Sequence, residues 1–339
     1  MKTGWDPEVE AWFRRRTFDG RPPTVADLVA SKQGFITVCL PALDEGETIE
    51  AICETVVDEL IGPGLVDELI VIDSGSSDNT IEAARAAGAV VHRAAEVMTE
   101  IPAVSGGKGE SLWKSLAVAQ GDIVVWLDSD TRNFDTRFVT ALVAPLLEDG
   151  ATHLVKAFYE RPLVAAEEGD AGDRLRRPLL NRRAPRSGTL LERGGARVTE
   201  IGIRPLINLF FPKLAGFVQP LSGEYAGRTE ILRSLPFATG YAVDVSLLID
   251  VVESFGLDAV AQVDLGSRVH RNRAVPELGR MSFEIMHSLF ARLDDDGRVK
   301  LTDALAKELI QFEDSPDGPV PVTCHVEPSV RPPMRRYLG

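Results

Sequence analysis

An uncharged run, Ile123-Val124-Val125-Trp126-Leu127, stops abruptly at Asp128-Ser129-Asp130. A short apolar run rich in β-branched side chains reads as a strand buried on both faces. A chain with such a strand must cover it, and the surrounding pattern shows how. Phe35-Ile36-Thr37-Val38-Cys39-Leu40 is an earlier run of the same kind, followed by a loop, Pro41-Ala42-Leu43-Asp44-Glu45. Ile49, Ile52, Cys53, Val56, Val57 and Leu60 then recur at helical spacing, so one helix face packs on the sheet. Leu69-Ile70-Val71-Ile72 is the next strand, ended by Asp73-Ser74-Gly75-Ser76-Ser77-Asp78. Ser77 or Asp78 is placed to cap a helix that Gly88 closes. Val90-Val91 is a short third strand, and a helix follows the glycine-rich stretch 105–109 as far as Gln120. Strands and helices alternating at these lengths imply an α/β fold with a parallel sheet and right-handed crossovers. Asp44, Asp73 and the Asp128/Asp130 pair then share the carboxyl edge of the sheet, where open α/β folds bind ligands.

Two carboxylates at that edge suit a hard divalent cation, Mg²⁺ or Mn²⁺, which would bridge to something richly negative, such as a diphosphate. The plainer alternative is a strand end with solvated acids, and so short a motif does not decide by itself. Three further stretches carry chemistry. Ser105-Gly106-Gly107-Lys108-Gly109 lets backbone N–H groups approach an anion just before a helix N-terminus. It is not a P-loop, since Lys108 is followed by Gly109, and an ordinary surface turn is the alternative. Arg268-Val269-His270-Arg271-Asn272-Arg273 is the basic cluster directly after a predicted strand. Neutral imidazole ligates Mn²⁺, and arginines match phosphate oxygens. With five histidines in the chain, His270 is a candidate metal ligand, although a lone histidine also serves structure. Gly194-Gly195-Ala196-Arg197-Val198-Thr199-Glu200 joins flexible backbone, a guanidinium and a hydroxyl before a helix. It could hold a phosphate or carboxylate, or it is a helix start capped by Thr199.

The second half is less regular. Strands are expected at His153–Tyr159 and Val260–Leu265, helices at 199–211, 243–255 and 277–292, and a turn-rich stretch at Ser222–Tyr225. Residues 165–195, rich in arginine, glycine and proline, read as a loop. The division expected is an N-terminal arm (1–33), an α/β core (34–150), a less regular region (151–312) and an extended Pro-rich tail (313–339). There are 51 acidic against 37 basic residues, and a formal charge of −14 argues against nucleic acid and anionic membranes as partners. No apolar stretch approaches about 18 residues and no signal-peptide pattern opens the chain, so a cytoplasmic protein is expected. Three scattered cysteines without a C-x-x-C pair fit buried thiols in a reducing compartment.

Taken in order, Pro41–Glu45, Asp73–Ser76, Gly107-Lys108-Gly109-Glu110, Asp128-Ser129-Asp130, Arg197–Glu200, Pro220-Leu221-Ser222-Gly223-Glu224-Tyr225-Ala226 and His270–Arg273 resemble the retaining mannosyl-/glucosyl-3-phosphoglycerate synthases of bacteria. The resemblance spans roughly residues 35–290, and its specificity lies in the combination of motifs. It implies a GT-A fold: a Rossmann-like, mostly parallel sheet flanked by helices, with a C-terminal acceptor-binding region. It implies a hexosyltransferase that takes a mannosyl or glucosyl group from GDP-mannose, GDP-glucose or UDP-glucose to 3-phosphoglycerate, with a divalent cation, as a homodimer. By the same resemblance Pro41, Ala42, Leu43, Glu45 and Ser74 line the nucleoside pocket, with Asp73 near the base or ribose and Lys108 close by. Asp130 and His270 ligate the metal. Asp128, with Ser129 beside it, lies near sugar and ribose, and Leu221 and Tyr241 border the sugar. Arg197 and Thr199, with Gly195 and Ala196 backbone and Asn272, hold the acceptor. Arg268, Arg271 and Arg273 add positive field. One residue departs from the pattern: the glucosyl enzymes carry Glu near the donor sugar, and this chain has Asp244 there, which leaves mannose open. Two other functions share these features. A sugar-1-phosphate nucleotidyltransferase would release diphosphate, but its Gly-rich loop after the first strand is replaced here by Pro41-Ala42-Leu43. A non-catalytic nucleotide-sugar-binding protein would bind donor without turnover.

Overall fold

The computed structural model describes residues 4–19, 21–102, 104, 107–160, 196–269 and 274–338. Its strands are β1 (Thr17–Phe18), β2 (Ile36–Ala42), β3 (Glu68–Asp73), β4 (Val90–Arg93), β5 (Ile123–Trp126), β6 (Leu154–Glu160), β7 (Tyr225–Arg228), β8 (Phe237–Ala238), β9 (Val260–Ser267), β10 (Glu308–Glu313), β11 (Val320–His325) and β12 (Val330–Arg331). Eight of them form one sheet in the order β1-β9-β6-β7-β5-β2-β3-β4. Neighbours pair in parallel except at β7, which runs antiparallel to both β5 and β6. Residues 34–150 and 151–312 therefore share a single sheet.

Among the described residues the longer helices are α1 (Pro7–Arg16), α2 (Val25–Ser31), α3 (Ile49–Val56), α4 (Thr80–Ala86), α5 (Lys108–Val118), α6 (Arg137–Glu148), α7 (Arg204–Phe210), α8 (Thr229–Arg233), α9 (Val243–Phe255) and α10 (Val275–Asp295). The core falls into two layers. Alternate strand residues face opposite ways, so Val38, Leu40, Val71 and Val125 pack with α3, α4 and α6. Cys39, Ile70, Ile72, Val124 and Trp126 pack with α1, α5, α9 and α10. This is the flanked, mostly parallel α/β sheet expected of a GT-A fold. Cys39 and Cys53 lie inside it, and burial pushes both thiols up to about 12, as inert thiols require.

Several local expectations are revised. β2 runs through Pro41 and Ala42, which read as loop in the sequence, because both pair with β3. Asn79 rather than Ser77 or Asp78 precedes α4, although Asp78 still accepts from Thr80 N at 3.0 Å. The stretch read as a turn, Ser222–Tyr225, runs into β7, a four-residue strand interrupted by Gly227 and therefore without a readable alternation. The tail is not simply extended: β10 and β11 form a hairpin, and β12 pairs with β8. The N-terminal arm carries two helices, α1 and α2, and packs into the core. Trp12 is fully buried, donates Nε1–H to Val260 O at 2.8 Å and stacks on Phe217 with centroids 4.4 Å apart.

If α1 is part of the core, Trp12→Ala should cost about 3–5 kcal/mol, the usual range for a buried large-to-small change. Urea denaturation measures this directly. A loss within about 0.5 kcal/mol, as for a surface site, would show that the segment is detachable.

Candidate active site at the carboxyl edge

Parallel pairing sends β2, β3 and β5 to one edge with their C-terminal loops side by side. The first two loops clasp each other. Asp44 adopts a positive φ of 56°, its N–H donates to Ser76 Oγ at 2.9 Å, and its carboxylate accepts from Ser77 N at 2.7 Å. Glu45 N donates to Thr80 Oγ1 at 2.8 Å, and Ser74 N donates to Ala42 O at 2.9 Å. Asp73 is buried and turns on itself, accepting from Gly75 N at 3.0 Å and Ser76 N at 3.2 Å. Ser74 and Ser111 hydroxyls lie 2.8 Å apart, which links this loop to α5, and Leu43 stays half exposed beside it.

The loop after β5 is tied to the same structure by its middle residue. Ser129 Oγ donates to Pro41 O at 2.6 Å, and Thr48 Oγ1 donates to Ser129 O at 2.5 Å. Asp128 and Asp130 thus flank a serine that is fully engaged in holding the loop. Antiparallel pairing of Trp126 with Tyr225 sets Gly223 against Asp128, where an added Cβ would meet the carboxylate at 2.1 Å. Any larger residue would displace the Asp128 carboxylate from this position.

A cluster of charges surrounds the pair. Lys108 Nζ lies 2.7 Å from Asp128 Oδ1 and 3.3 Å from Asp244 Oδ1. Burial opposes its charge, but Asp128 and Asp244 hold its pKa above the ordinary lysine value. The glycine-rich turn before α5 serves this placement. A Cβ on Gly109 would sit 1.8 Å from Ala238 O, so glycine allows α5 to start against the segment that leads to Asp244. Arg268, 3% exposed, contacts Asp130 through one terminal nitrogen, which also lies 3.3 Å from Asp128. Its Nε is 2.9 Å from Glu224 Oε1, and the other Glu224 oxygen accepts from Tyr159 OH at 2.5 Å. Burial pushes Glu224 up and Arg268 pulls it back, while Glu224 and its neighbours keep Arg268 charged despite burial. Arg268 is therefore an internal clamp on three carboxylates rather than a loose source of positive field.

The structure brings together Asp128, Asp130, Lys108 and Asp244 from the residues singled out in the sequence. Leu221 lies buried just before Ser222, and Tyr241 stands in the turn before Asp244. Tyr241 N donates to Glu284 Oε1 of α10 at 2.8 Å. Ala196 (φ 63°), Arg197 and buried Thr199 start a helical turn whose Gly202 faces Ser282 and Met286 of the same α10. His270, Asn272, Gly195, Arg271 and Arg273 lie outside the described residues. Val269, next to His270, is held to the loop after β5: Arg132 N donates to its carbonyl at 2.9 Å, and its own N–H donates to Asn133 Oδ1 at 2.7 Å.

Sequence reasoning overlooked Lys156, Tyr159 and Glu224 as parts of the cluster. Lys156 is the one with a legible signal, a lone cation in the apolar strand Leu154–Tyr159. It is 1% exposed, donates to Ser222 O at 2.8 Å and Asp244 O at 3.1 Å, and lies 4.2 Å from the centroid of the Tyr225 ring.

Among the described residues, no group of three or more His, Cys, Asp and Glu side chains forms a ready metal cage. The donor chemistry still fits Mg²⁺ or Mn²⁺, because such ions commonly take one or two carboxylates and leave the other positions to substrate phosphates. Asp130, with 21% of its side chain exposed at the edge, offers one such oxygen donor set.

Burial, with a smaller push from Lys108, lowers Lys156 to about 8 from an ordinary 10.5. Between those pH values the unfolded chain holds a proton that the folded chain has released. The contribution of this group to stability therefore rises with pH across that window. Denaturation midpoints from about pH 7.5 to 10.5 should rise more steeply in the wild type than in Lys156→Met; equal slopes would show an ordinary lysine.

Comparison with known proteins places this geometry in context. Residues 37–188 match glycosyl transferase family 2. Glucosyl-3-phosphoglycerate synthase of Mycolicibacterium paratuberculosis is 44% identical over 331 residues, 96% of this chain and 92% of the relative. The crystal structure of mannosyl-3-phosphoglycerate synthase from Rubrobacter xylanophilus superimposes with a TM-score of 0.82 at 32% identity, over 96% of this chain and 99% of that one. Glucosyl-3-phosphoglycerate synthase from Mycobacterium tuberculosis, solved with Mn²⁺, UDP-glucose and phosphoglyceric acid, gives 0.78 at 41% identity over 95% and 98%. With identity of this order over nearly the whole length, the chain belongs to the glucosyl-3-phosphoglycerate synthase family of GT-A glycosyltransferases.

Proposed function

We propose that the chain, as a cytoplasmic homodimer, transfers a glucosyl or mannosyl group from a nucleoside-diphosphate sugar to the 2-hydroxyl of 3-phosphoglycerate with retention of configuration. The observation that carries this is the convergence of Asp128, Asp130, Lys108 and Asp244 at the carboxyl edge, in a chain of this family. The M. tuberculosis relative supports the substrate class, since it was solved with Mn²⁺, UDP-glucose and phosphoglyceric acid together.

In this proposal the loops after β2 and β3 hold the nucleoside, through Pro41, Ala42, Leu43, Glu45, Asp73 and Ser74. Asp130 and His270 hold the divalent cation, which supplies charge neutralisation to the leaving diphosphate. Lys108 adds a fixed positive charge and aligns Asp128 with Asp244 beside the sugar. Arg197 and Thr199, with Gly195, Ala196 and Asn272, fix the acceptor, for which a charge-assisted pair is the strongest local interaction. The carboxylates near the edge are committed to cations: Asp128 and Asp244 to Lys108, Glu224 to Arg268. That disfavours a covalent glycosyl-enzyme. Front-face attack remains, in which the bond from C1 to the diphosphate breaks while the acceptor O2 bonds to C1 on the same face. The O2 proton passes to the departing diphosphate oxygen, through an oxocarbenium-like transition state.

Purified protein with Mg²⁺ or Mn²⁺, 3-phosphoglycerate and each of UDP-glucose, GDP-glucose and GDP-mannose should yield an α-hexosyl-3-phosphoglycerate and a nucleoside diphosphate. Light scattering on the same sample should read twice the chain mass. Arg197→Ala should raise the acceptor KM at least about 10-fold more than the donor KM, as expected when a charge-assisted contact is lost. Release of inorganic diphosphate, or tight donor binding without product, would overturn the transfer reaction; equal effects of Arg197→Ala on both substrates would make Arg197 structural.

Asp244 tests sugar choice. A Glu side chain is longer by one methylene, about 1.5 Å, and glucose and mannose differ in one hydroxyl's orientation. Asp244→Glu should move the mannosyl-to-glucosyl ratio of kcat/KM toward glucose, because sites that hydrogen-bond a hydroxyl discriminate strongly. An unchanged ratio would show that this carboxylate does not read the sugar.

A further inference from the structure

The C-terminal segment makes an ion pair that no step above uses. Arg331 in β12 is 5% exposed and Glu110 in the first turn of α5 is 6% exposed. They meet through two parallel contacts, Nε to Oε2 at 2.7 Å and a terminal nitrogen to Oε1 at 2.8 Å. The same guanidinium donates to Pro102 O at 3.0 Å and lies 5.0 Å from the centroid of the Trp113 ring. Trp113 in turn donates Nε1–H to Pro332 O at 2.9 Å and meets Tyr337 edge-on. The tail is thus fastened to one face of α5 over about one turn, from Glu110 to Trp113.

Its other contact is with the segment that leads to Asp244. β12 pairs with β8, and Thr239 N donates to Ser329 O at 2.9 Å. Thr239 O then accepts from Glu110 N at 2.8 Å, next to Gly109, which touches Ala238 O too closely for any Cβ. One short segment of tail therefore joins the start of α5 to the strand that precedes Tyr241 and Asp244. Lys108 leaves α5 at that start and bonds both Asp128 and Asp244.

We propose that Arg331 is a positioning residue for the donor site: through Glu110 the tail locks the first turn of α5 to the 237–240 segment and so holds Lys108 between Asp128 and Asp244. The proposal rests on Lys108 belonging to the donor site. Bidentate pairing and burial both suit a fixed geometry. Nothing in the contact needs a ligand to form.

Arg331→Met, Glu110→Gln and the double variant, all on the full chain, test it. Arg331→Met leaves the buried Glu110 carboxylate with only Lys114, 3.5 Å away, and should melt lowest. The double variant removes the stranded charge and should recover most of the lost melting temperature. The first readout uses no substrate: the rate at which a small N-hydroxysuccinimide ester acylates Lys108, followed by peptide mass spectrometry. It should be at least about 10-fold faster in the double variant than in the wild type, because a loosened turn opens more often. The second is steady-state kinetics. kcat/KM for the nucleotide sugar should fall about 10-fold, as small misplacements of site residues do, with the acceptor KM within about two-fold. Should the double variant not fold, Arg331→Lys carries both readouts, since it keeps the charge without the guanidinium fork. An unchanged Lys108 acylation rate, or donor kinetics that recover along with the melting temperature, would overturn the strap. A wild type that acylates slowly at Lys108 yet transfers no sugar would overturn the assigned reaction and leave the strap standing.

Discussion

The clamp that Arg268 places on Asp128, Asp130 and Glu224 is the interaction on which the edge of the sheet depends. Two like charges 4 Å apart near a protein surface repel by about 4 kcal/mol at an effective dielectric constant of 20. Three carboxylates converging on one loop would push it apart without a cation between them. Lys108 performs the same task for Asp128 and Asp244. Stability alone does not explain such a cluster, because well-packed apolar side chains are often as stable as a buried ion pair. What charges add is direction. Each carboxylate is held in one orientation by a partner that is buried, as Arg268 is, or largely so, as Lys108 is, and a site for a cation and a diphosphate needs that order before the ligand arrives.

The topology explains why these charges meet. β5 ends at Trp126, and a purely parallel neighbour would also have delivered a C-terminal loop to this edge. β7 instead runs the other way, so its N-terminal approach, Leu221-Ser222-Gly223-Glu224, lies beside Asp128. Gly223 leaves room for the Asp128 carboxylate, and Glu224 supplies the third carboxylate for Arg268. β9, two strands beyond β7 in the sheet and parallel to β6, brings Arg268 to the same edge and ties its own end to Arg132 and Asn133. Lys156, one strand away on β6, braces the Ser222 and Asp244 carbonyls from beneath. A single antiparallel strand thus converts a nucleotide-binding edge into one that is lined on both sides.

The part of this that is legible in the sequence follows from periodicity. β2, β3 and β5 are apolar runs because both faces are buried, and α9 spans Val243–Phe255 as its spacing predicts. Asp128 and Asp130 stand out because they interrupt such a run. β7 escaped because Tyr225-Ala226-Gly227-Arg228 is short and contains a glycine where His153 O comes within 3.1 Å of any Cβ. The buried role of Trp12 escaped because α1 has a polar outer face and only Val9 and Trp12 are buried. Pairings between residues far apart in the chain, such as Arg268 with Glu224 or Arg331 with Glu110, leave no periodic trace. The motif order, matched against a family, singled out the stretch that contains Glu224 but not its pairing with Arg268. Arg331 had no such pointer, since it lies past residue 290 in a stretch that reads as Pro-rich tail.

Asp244 shows how far a single side chain's chemistry is set by its surroundings. Read alone, it is an acid in the first turn of a helix, where a negative charge is stabilising by about 0.3–1 kcal/mol. In the fold it is 3% exposed, and its carboxylate shares Lys108 with Asp128. Helix stabilisation does not require that burial, and a solvated acid would serve the dipole as well. The lysine makes the two aspartates one unit: moving either carboxylate moves the amine that holds the other. On the proposed reading of Asp244, sugar choice would be a property of the Asp128–Lys108–Asp244 bridge rather than of Asp244 by itself, with the length of the acid at 244 setting where that bridge ends.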